Sequence, residues 1–319
     1  MAERWRAWAL SYGIYAVLVL LLLVMWRLSP YFFSFSNFLN IGSQIAMIAV
    51  VAIGMTMVIL MAEIDLSVGS VAALAGAITA GLLHAAPDGV SSGLWLVIAI
   101  IIGMIVGTLA GLFNGLFSVW GGIPSFIVTL GMLSIGRGLV LLYTGGRPIF
   151  GFGLAFAQIS WGKVGPLPIP ILMMLSLYLI AWLFLRETQL GRYIYAIGAN
   201  KDAVELAGIN VRAIKISVFA LAGTFSGLAG IMLTSRLDSA QPTAAIGWEL
   251  DVIAAVVLGG ASLYGGRGSV AKTLVGAFIL QIISNSLNLL EVQAYWQQIA
   301  KGSIILVALL LERMLRGKR

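Results

Sequence analysis

Residues 45–83 read IAMIAVVAIGMTMVILMAEIDLSVGSVAALAGAITAGLL. Two apolar runs, 45–60 and 71–83, flank a short polar insert, MAEIDLSVGS, at 61–70. Neither run alternates polar and apolar residues, so neither reads as a barrel strand. A helix needs about 20 mostly apolar residues to cross the hydrocarbon core of a bilayer. The stretch therefore predicts two membrane helices, over 42–62 and 64–83, with Glu63 and Asp65 at their join. A carboxylate at the bilayer centre costs roughly 2.5–3.5 kcal/mol on insertion scales, so these acids require a local reason.

The rest of the chain has the same character. It is 61% hydrophobic and only 10% charged, with a mean hydropathy of +1.04. A soluble domain carries about 25% charged residues. The composition predicts an all-α polytopic membrane bundle. Tails and loops are too short for a second folded unit, so residues 1–319 are expected to form one membrane domain. The chain has no cysteine, which excludes disulfides, zinc–thiolate sites and thiol nucleophiles. A single histidine, His84, excludes a multi-histidine metal site. The net charge of +7 comes without a basic cluster interleaved with aromatics, so no nucleic-acid partner is expected. No G-x-x-x-x-G-K-[ST] phosphate loop and no G-x-G-x-x-G occurs. The one G-x-S-x-G, GVSSG at 89–93, falls in a short polar loop between two spans, the wrong setting for a nucleophile elbow. No catalytic residue is assigned. The first apolar run, 10–25, lacks a small-residue cleavage site and is expected to stay as a span.

Apolar runs place about ten spans, near 9–26, 42–62, 64–83, 94–118, 123–143, 169–185, 214–234, 249–263, 270–290 and 297–311. The eighth is short. With the N-terminus inside, most of the 19 Lys and Arg fall on inner segments, including Arg186, Arg192, Lys201, Arg212 and Lys215. That bias predicts an N-in, C-in topology with an even number of crossings. The largest inner loop is 186–213, and the longest outer one, 144–168, is rich in Gly, Pro and aromatics.

Gly103, Gly107, Gly111 and Gly115 recur every four residues in the fourth span, and Gly223, Gly227 and Gly230 give the seventh a similar small face. Small faces let membrane helices approach closely, so both are read as packing surfaces. Asn114 sits at membrane depth and either lines a pathway or bonds a neighbouring helix. In the inner loop, Asn200 or Asp202 can cap a short helix. Ala203, Val204, Leu206 and Ala207 supply its apolar face, and Gly208 can end it. Such a helix either enters a partner's groove or lies on lipid. In the region 239–269, Gly259 and Gly260 interrupt the short eighth span after the acids Glu249 and Asp251. Interrupted helices often line transporter pathways.

Three strings, IDLSVGS (64–70), GRYIYAIGANKDAVELAGINV (191–211) and SAQPTAAIGWELDVIAAVVLGGASLYGGRGS (239–269), resemble the membrane subunits of bacterial ABC importers for monosaccharides, of the ribose permease type. Branched-chain amino-acid permeases are more distant relatives. The resemblance implies a type II ABC-importer fold and a second permease subunit, identical or different. It also implies two cytoplasmic ATPase subunits that bind ATP and Mg, a periplasmic solute-binding protein, and no cofactor in this chain. It implies that the inner loop is a coupling loop docking on an ATPase through Gly198, Asn200, Ala203, Leu206, Ala207, Gly208 and Ile209. Glu63, Asp65, Ser67, Gly69, Ser70, Asn114, Gly259 and Gly260 are the expected translocation path or gate. Many members have a Gly-Gly pair before Ile-Asp, where this chain has Ala62 and Glu63. Asp65 has a competing reading as the cap of the third span. Two other functions compete with this reading. An ion-coupled secondary transporter needs ionisable relays, and only Arg137 lies deep in a span. An ABC permease for a furanosyl signalling molecule or a branched-chain amino acid would share the same architecture.

Overall fold

The computed structural model describes residues 15, 18–86, 92–293, 295–300, 302, 303, 306 and 310. The expected first and last spans and the GVSSG loop lie partly outside the described residues. Among the described residues, six helices are long and apolar enough to cross a membrane. They are α2 (Phe35–Leu60), α4 (Ser92–Trp120), α5 (Ser125–Thr144), α7 (Ile169–Glu187), α10 (Val211–Leu237) and α12 (Val270–Leu289). Shorter helices are α1 (Leu18–Leu28), α3 (Val68–His84), α6 (Leu154–Trp161), α8 (Gln189–Ala199), α9 (Lys201–Leu206) and α11 (Trp248–Leu258). The molecule is an all-α multi-pass membrane protein.

Helix α2 is the axis of the bundle. It is apolar on every side and buried on every side from Ile41 to Leu60, packed among α7, α10, α11 and α12. Polar side chains set its register against α12. Asn37 and Asn285 exchange amide hydrogen bonds of 3.1 and 3.0 Å, Gln281 donates to Gln44 at 2.6 Å, and Thr56 meets Thr273 at 3.0 Å. In apolar surroundings such groups bond one another because nothing else is available.

The two glycine rows of the sequence pack on each other. Gly107 lies against the backbone of Gly223 and Gly227, Gly111 against Phe219 and Ala220, and a Cβ on Gly115 would sit 2.8 Å from Ile216 Cα. The opposite face of α4 exposes Val97, Ile101, Ile105 and Leu109 at four-residue spacing, a lipid-facing stripe.

Three expected spans differ from the helices observed, the second beginning at Phe35 rather than 42. The third begins at Val68 rather than 64, because residues 62–67 leave helical geometry. The eighth, expected over 249–263, is α11 and ends at Leu258; 11 residues rise roughly 16 Å, about half the hydrocarbon thickness. The stop is chemical. Gly260 takes a left-handed φ of +80°, and Ala261 N–H bonds Val256 C=O at 3.2 Å, closing a Schellman turn.

Loops gather at the two ends of α7 and α10. At one end, β1 (Ile149–Phe150) pairs antiparallel with β4 (Ser239–Ala240), and β2 (Lys163–Val164) with β3 (Leu167–Pro168), around α6. At the other lie α8 and α9.

Candidate functional site

The site is built on the break between α2 and α3. Helix α2 ends in a Schellman turn, with Ala62 N–H bonding Ile59 C=O and Glu63 N–H bonding Val58 C=O. Ala62 occupies the left-handed position, at φ +60°, where glycine is the usual residue. Residues 62–67 then leave helical geometry, with Ala62 exposed, Glu63, Ile64 and Leu66 partly buried, and Asp65 and Ser67 buried. Irregular backbone survives at membrane depth only where protein satisfies its polar groups. Here α5 does so: Ile64 N–H donates to Ser125 Oγ at 3.2 Å, and Leu66 N–H donates to Thr129 Oγ1 at 3.1 Å.

Asp65 is only 2% exposed. Its Oδ1 accepts from Ser67 N–H at 2.8 Å and from Ser67 Oγ at 2.6 Å. This is an Asx turn preceding α3. Asp65 does not cap α3: Ser67 holds the cap position, and no side chain bonds the free amides there. Ser70 Oγ donates to Ser67 C=O at 2.9 Å. Asn114 of α4 donates through Nδ2 to Ser67 Oγ at 2.9 Å, while its Oδ1 is buried without a partner among the described residues. Asn114 thus bonds the break itself. Gly69 lets the backbone of Ala245 approach closely, and Glu249 Oε2 lies 3.0 Å from where a Gly69 Cβ would be. Arg137 of α5 pins the same loop, donating to Pro242 C=O at 2.6 Å and Ala244 C=O at 3.0 Å. Asp65, Ser67, Gly69, Ser70 and Asn114 therefore form one buried polar centre shared by α3, α4 and α5.

Glu63 belongs to a different neighbourhood. Its carboxylate pairs with Lys215 Nζ at 2.6 Å, with both side chains mostly buried. Gly259 and Gly260 end α11, and Gly259 packs on the backbone of Thr273. The loop after them returns to α2: Gly266 N–H donates to Leu60 C=O at 2.9 Å.

In the α8–α9 segment, Thr188 caps α8 by accepting from Gly191 N–H at 3.0 Å. Asn200, the first of the two expected caps, accepts from Ala203 N–H at 3.0 Å. Gly208, at φ +78°, closes the turn after α9. The expected apolar face is split. Val204 turns inward, whereas Ala203, Leu206 and Ala207 are exposed, Leu206 at 89%. Gly198 is packed inside against Leu60 and Gly266. Tyr195 donates to Gly268 C=O at 3.1 Å, and burial pushes its phenol up from the ordinary value, keeping it a donor.

A family model described as "Branched-chain amino acid transport system / permease component" matches residues 37–309, from α2 past α12 and across every feature above. The chain belongs to this permease-component family. Within it, the chain is 46% identical to the ribose import permease protein of Haemophilus influenzae, over 96% of this chain and 94% of that one. It is 45% identical to the ribose import permease protein of Bacillus subtilis, over 94% and 92%. The D-allose transport system permease protein of Escherichia coli is 36% identical over 96% and 92%. No solved structure matches the chain significantly.

Several residues of this permease-family site escaped sequence reading. Ser125 and Thr129 read as unremarkable positions on an apolar span, and no pattern announces that they serve a distant backbone. Lys215 did leave a signal. It lies one residue inside the predicted span 214–234, on the same predicted side as Glu63, so two opposite charges at neighbouring span ends could have been joined.

Proposed function

We propose that the chain is the membrane-spanning subunit of an ATP-driven importer for a monosaccharide, with D-ribose the first substrate to test. The observation that carries this reading is near-full-length identity, 46% and 45%, to two ribose import permeases. A further relative is named for D-allose, so an aldose is favoured over the amino acids of the broad family description. In this reading the chain crosses a bacterial inner membrane about ten times, N-in and C-in. It pairs with a second permease subunit, receives substrate from a periplasmic binding protein, and rests on two ATPase subunits that hold ATP and Mg.

The exposed segment of α9 supports the docking assignment. Ala203, Leu206, Ala207 and Gly208 present a small apolar knob on a capped helix, with Asn200 and Ile209 at its borders. Gly198 acts behind this surface, as packing against α2. Transport then follows from alternating access, with α8–α9 moving against the bundle and the break at 62–67 rearranging. Asp65, Ser67, Gly69, Ser70 and Asn114 form the gate region of α3, and Gly259 and Gly260 that of α11. A break held by side-chain hydrogen bonds rather than a helical ladder can rearrange without unwinding a helix.

The test is uptake into proteoliposomes. With the binding protein outside and the ATPase subunits facing the lumen, labelled D-ribose accumulates only when ATP is enclosed, and unlabelled ribose competes while leucine does not. Uptake by this chain alone, driven by an ion gradient, would overturn the reading.

A further inference from the structure

We infer that the Glu63–Lys215 pair is the link that carries motion of the α8–α9 segment to the break between α2 and α3; this rests on the ATPase-docking role proposed above. The two side chains meet at 2.6 Å in a mostly buried setting. On one side, Lys215 stands just over one turn into α10. The connection back to α9 is only residues 207–210, and it is stiff. Ala207, Gly208 and Ile209 amides bond back to Ala203, Glu205 and Val204, and Asn210 caps α10 through Ala213 N–H at 3.0 Å. A displacement of α9 therefore reaches Lys215 with little slack. On the other side, Glu63 lies two residues before Asp65, inside the segment whose amides bond Ser125 and Thr129. Moving Glu63 pulls directly on the hydrogen bonds that hold the break.

A second set of contacts marks residues 60–63 as the receiving point. Gly198 of α8 packs on Leu60, Gly266 N–H bonds Leu60 C=O at 2.9 Å, and a Cβ on Gly265 would lie 2.8 Å from Gly198 Cα and 2.9 Å from Ala62 N. Helix α8, the 259–269 loop and the end of α2 thus meet backbone to backbone. These are packing contacts, equally compatible with a static joint. Among the described polar contacts, the ion pair is the one that joins α10 to the break through side chains, and neither of its members takes part in the backbone contacts of that joint. Intermediacy alone is no proof of transmission, so the pair must be tested as a coupling element.

The experiment uses the complete importer in proteoliposomes, reading D-ribose taken up per ATP hydrolysed, with ATPase retention on purification as a control. Glu63→Gln and Lys215→Met should each lower that ratio about fivefold while the ATPase subunits stay bound. The exchange Glu63→Lys with Lys215→Glu should restore it to within twofold. Lys215→Arg, which keeps the charge, should stay within twofold of the parent and serves if a neutral variant is not recovered; a fivefold loss in it would count against the pair. An unchanged ratio in the neutral variants, with only thermal stability reduced, makes the pair structural and overturns the inference. So does a lowered ratio that the exchange fails to restore, or loss of the ATPase subunits from either single variant. If the unaltered chain never binds ATPase subunits, the proposed function fails instead, independently of these variants.

Discussion

At the residue scale, Ala62 carries a side chain at a helix end where glycine is the usual residue. Schellman turns close helices in the same way at Ala62, Gly208, Gly260 and Glu291, and the first and last of these lack glycine. A side chain in the left-handed region costs about 1–2 kcal/mol. Glycine returns part of that through the freer unfolded chain, roughly 0.4–1 kcal/mol. Ala62→Gly should therefore stabilise the protein by about 0.5–1 kcal/mol, read as a rise in the thermal midpoint in detergent. Gly208→Ala and Gly260→Ala should each lower it by a similar amount. A Cβ at either of these has open space, so strain would be the whole effect. The sequence flagged residues 61–70 because acids in an apolar chain are conspicuous. It could not show that Asp65 turns back on Ser67, since an Asx turn and a helix cap draw on the same residue types at nearly the same spacing.

At the scale of elements, the long apolar runs were legible to within a few residues, and the breaks were not. Length and hydropathy fix a span, whereas its ends depend on tertiary partners such as Thr129 for the start of α3. The glycine rows show the same division. Their spacing gave two small faces, but only packing shows that α4 and α10 use them on each other. Gly107→Val would drive a branched side chain into the backbone of Gly223 and Gly227. Overpacking of this kind costs about 1–3 kcal/mol, with more expected where backbone is the obstacle. Gly131 on α5 has nothing within 4 Å of a Cβ, so Gly131→Ala should be neutral or gain up to about 1 kcal/mol of helix propensity. Thermal unfolding of the two variants side by side separates packing glycines from incidental ones. The α9 knob allows a functional counterpart: Ala207→Arg leaves the core untouched and should uncouple ATP hydrolysis from uptake at normal expression.

At the scale of the whole molecule, the remaining question is which end faces which compartment, and the absence of cysteine makes it directly measurable. Helix α7 separates the two ends. Its 19 residues rise roughly 28 Å, close to the hydrocarbon thickness of about 30 Å. Leu154, at the start of α6 before it, is 83% exposed, and Leu206, at the end of α9 beyond it, is 89% exposed. A cysteine at either site meets solvent without disturbing packing. Basic residues concentrate around α8 and α9, with Arg186, Arg192, Lys201, Arg212 and Lys215, whereas the segment 144–168 carries only Arg147 and Lys163. The charge bias that orients membrane proteins thus puts Leu206 in the cytoplasm and Leu154 outside. In intact spheroplasts that make this chain without ATPase subunits, a membrane-impermeant maleimide should label Leu154→Cys and leave Leu206→Cys unlabelled until the membrane is opened. The reverse pattern would place the α9 knob away from any source of ATP, and the docking assignment would fall with it. Labelling of both sites from outside would mean that α7 does not cross, leaving its apolar stripe of Leu175, Leu179 and Leu183 exposed to water rather than to lipid.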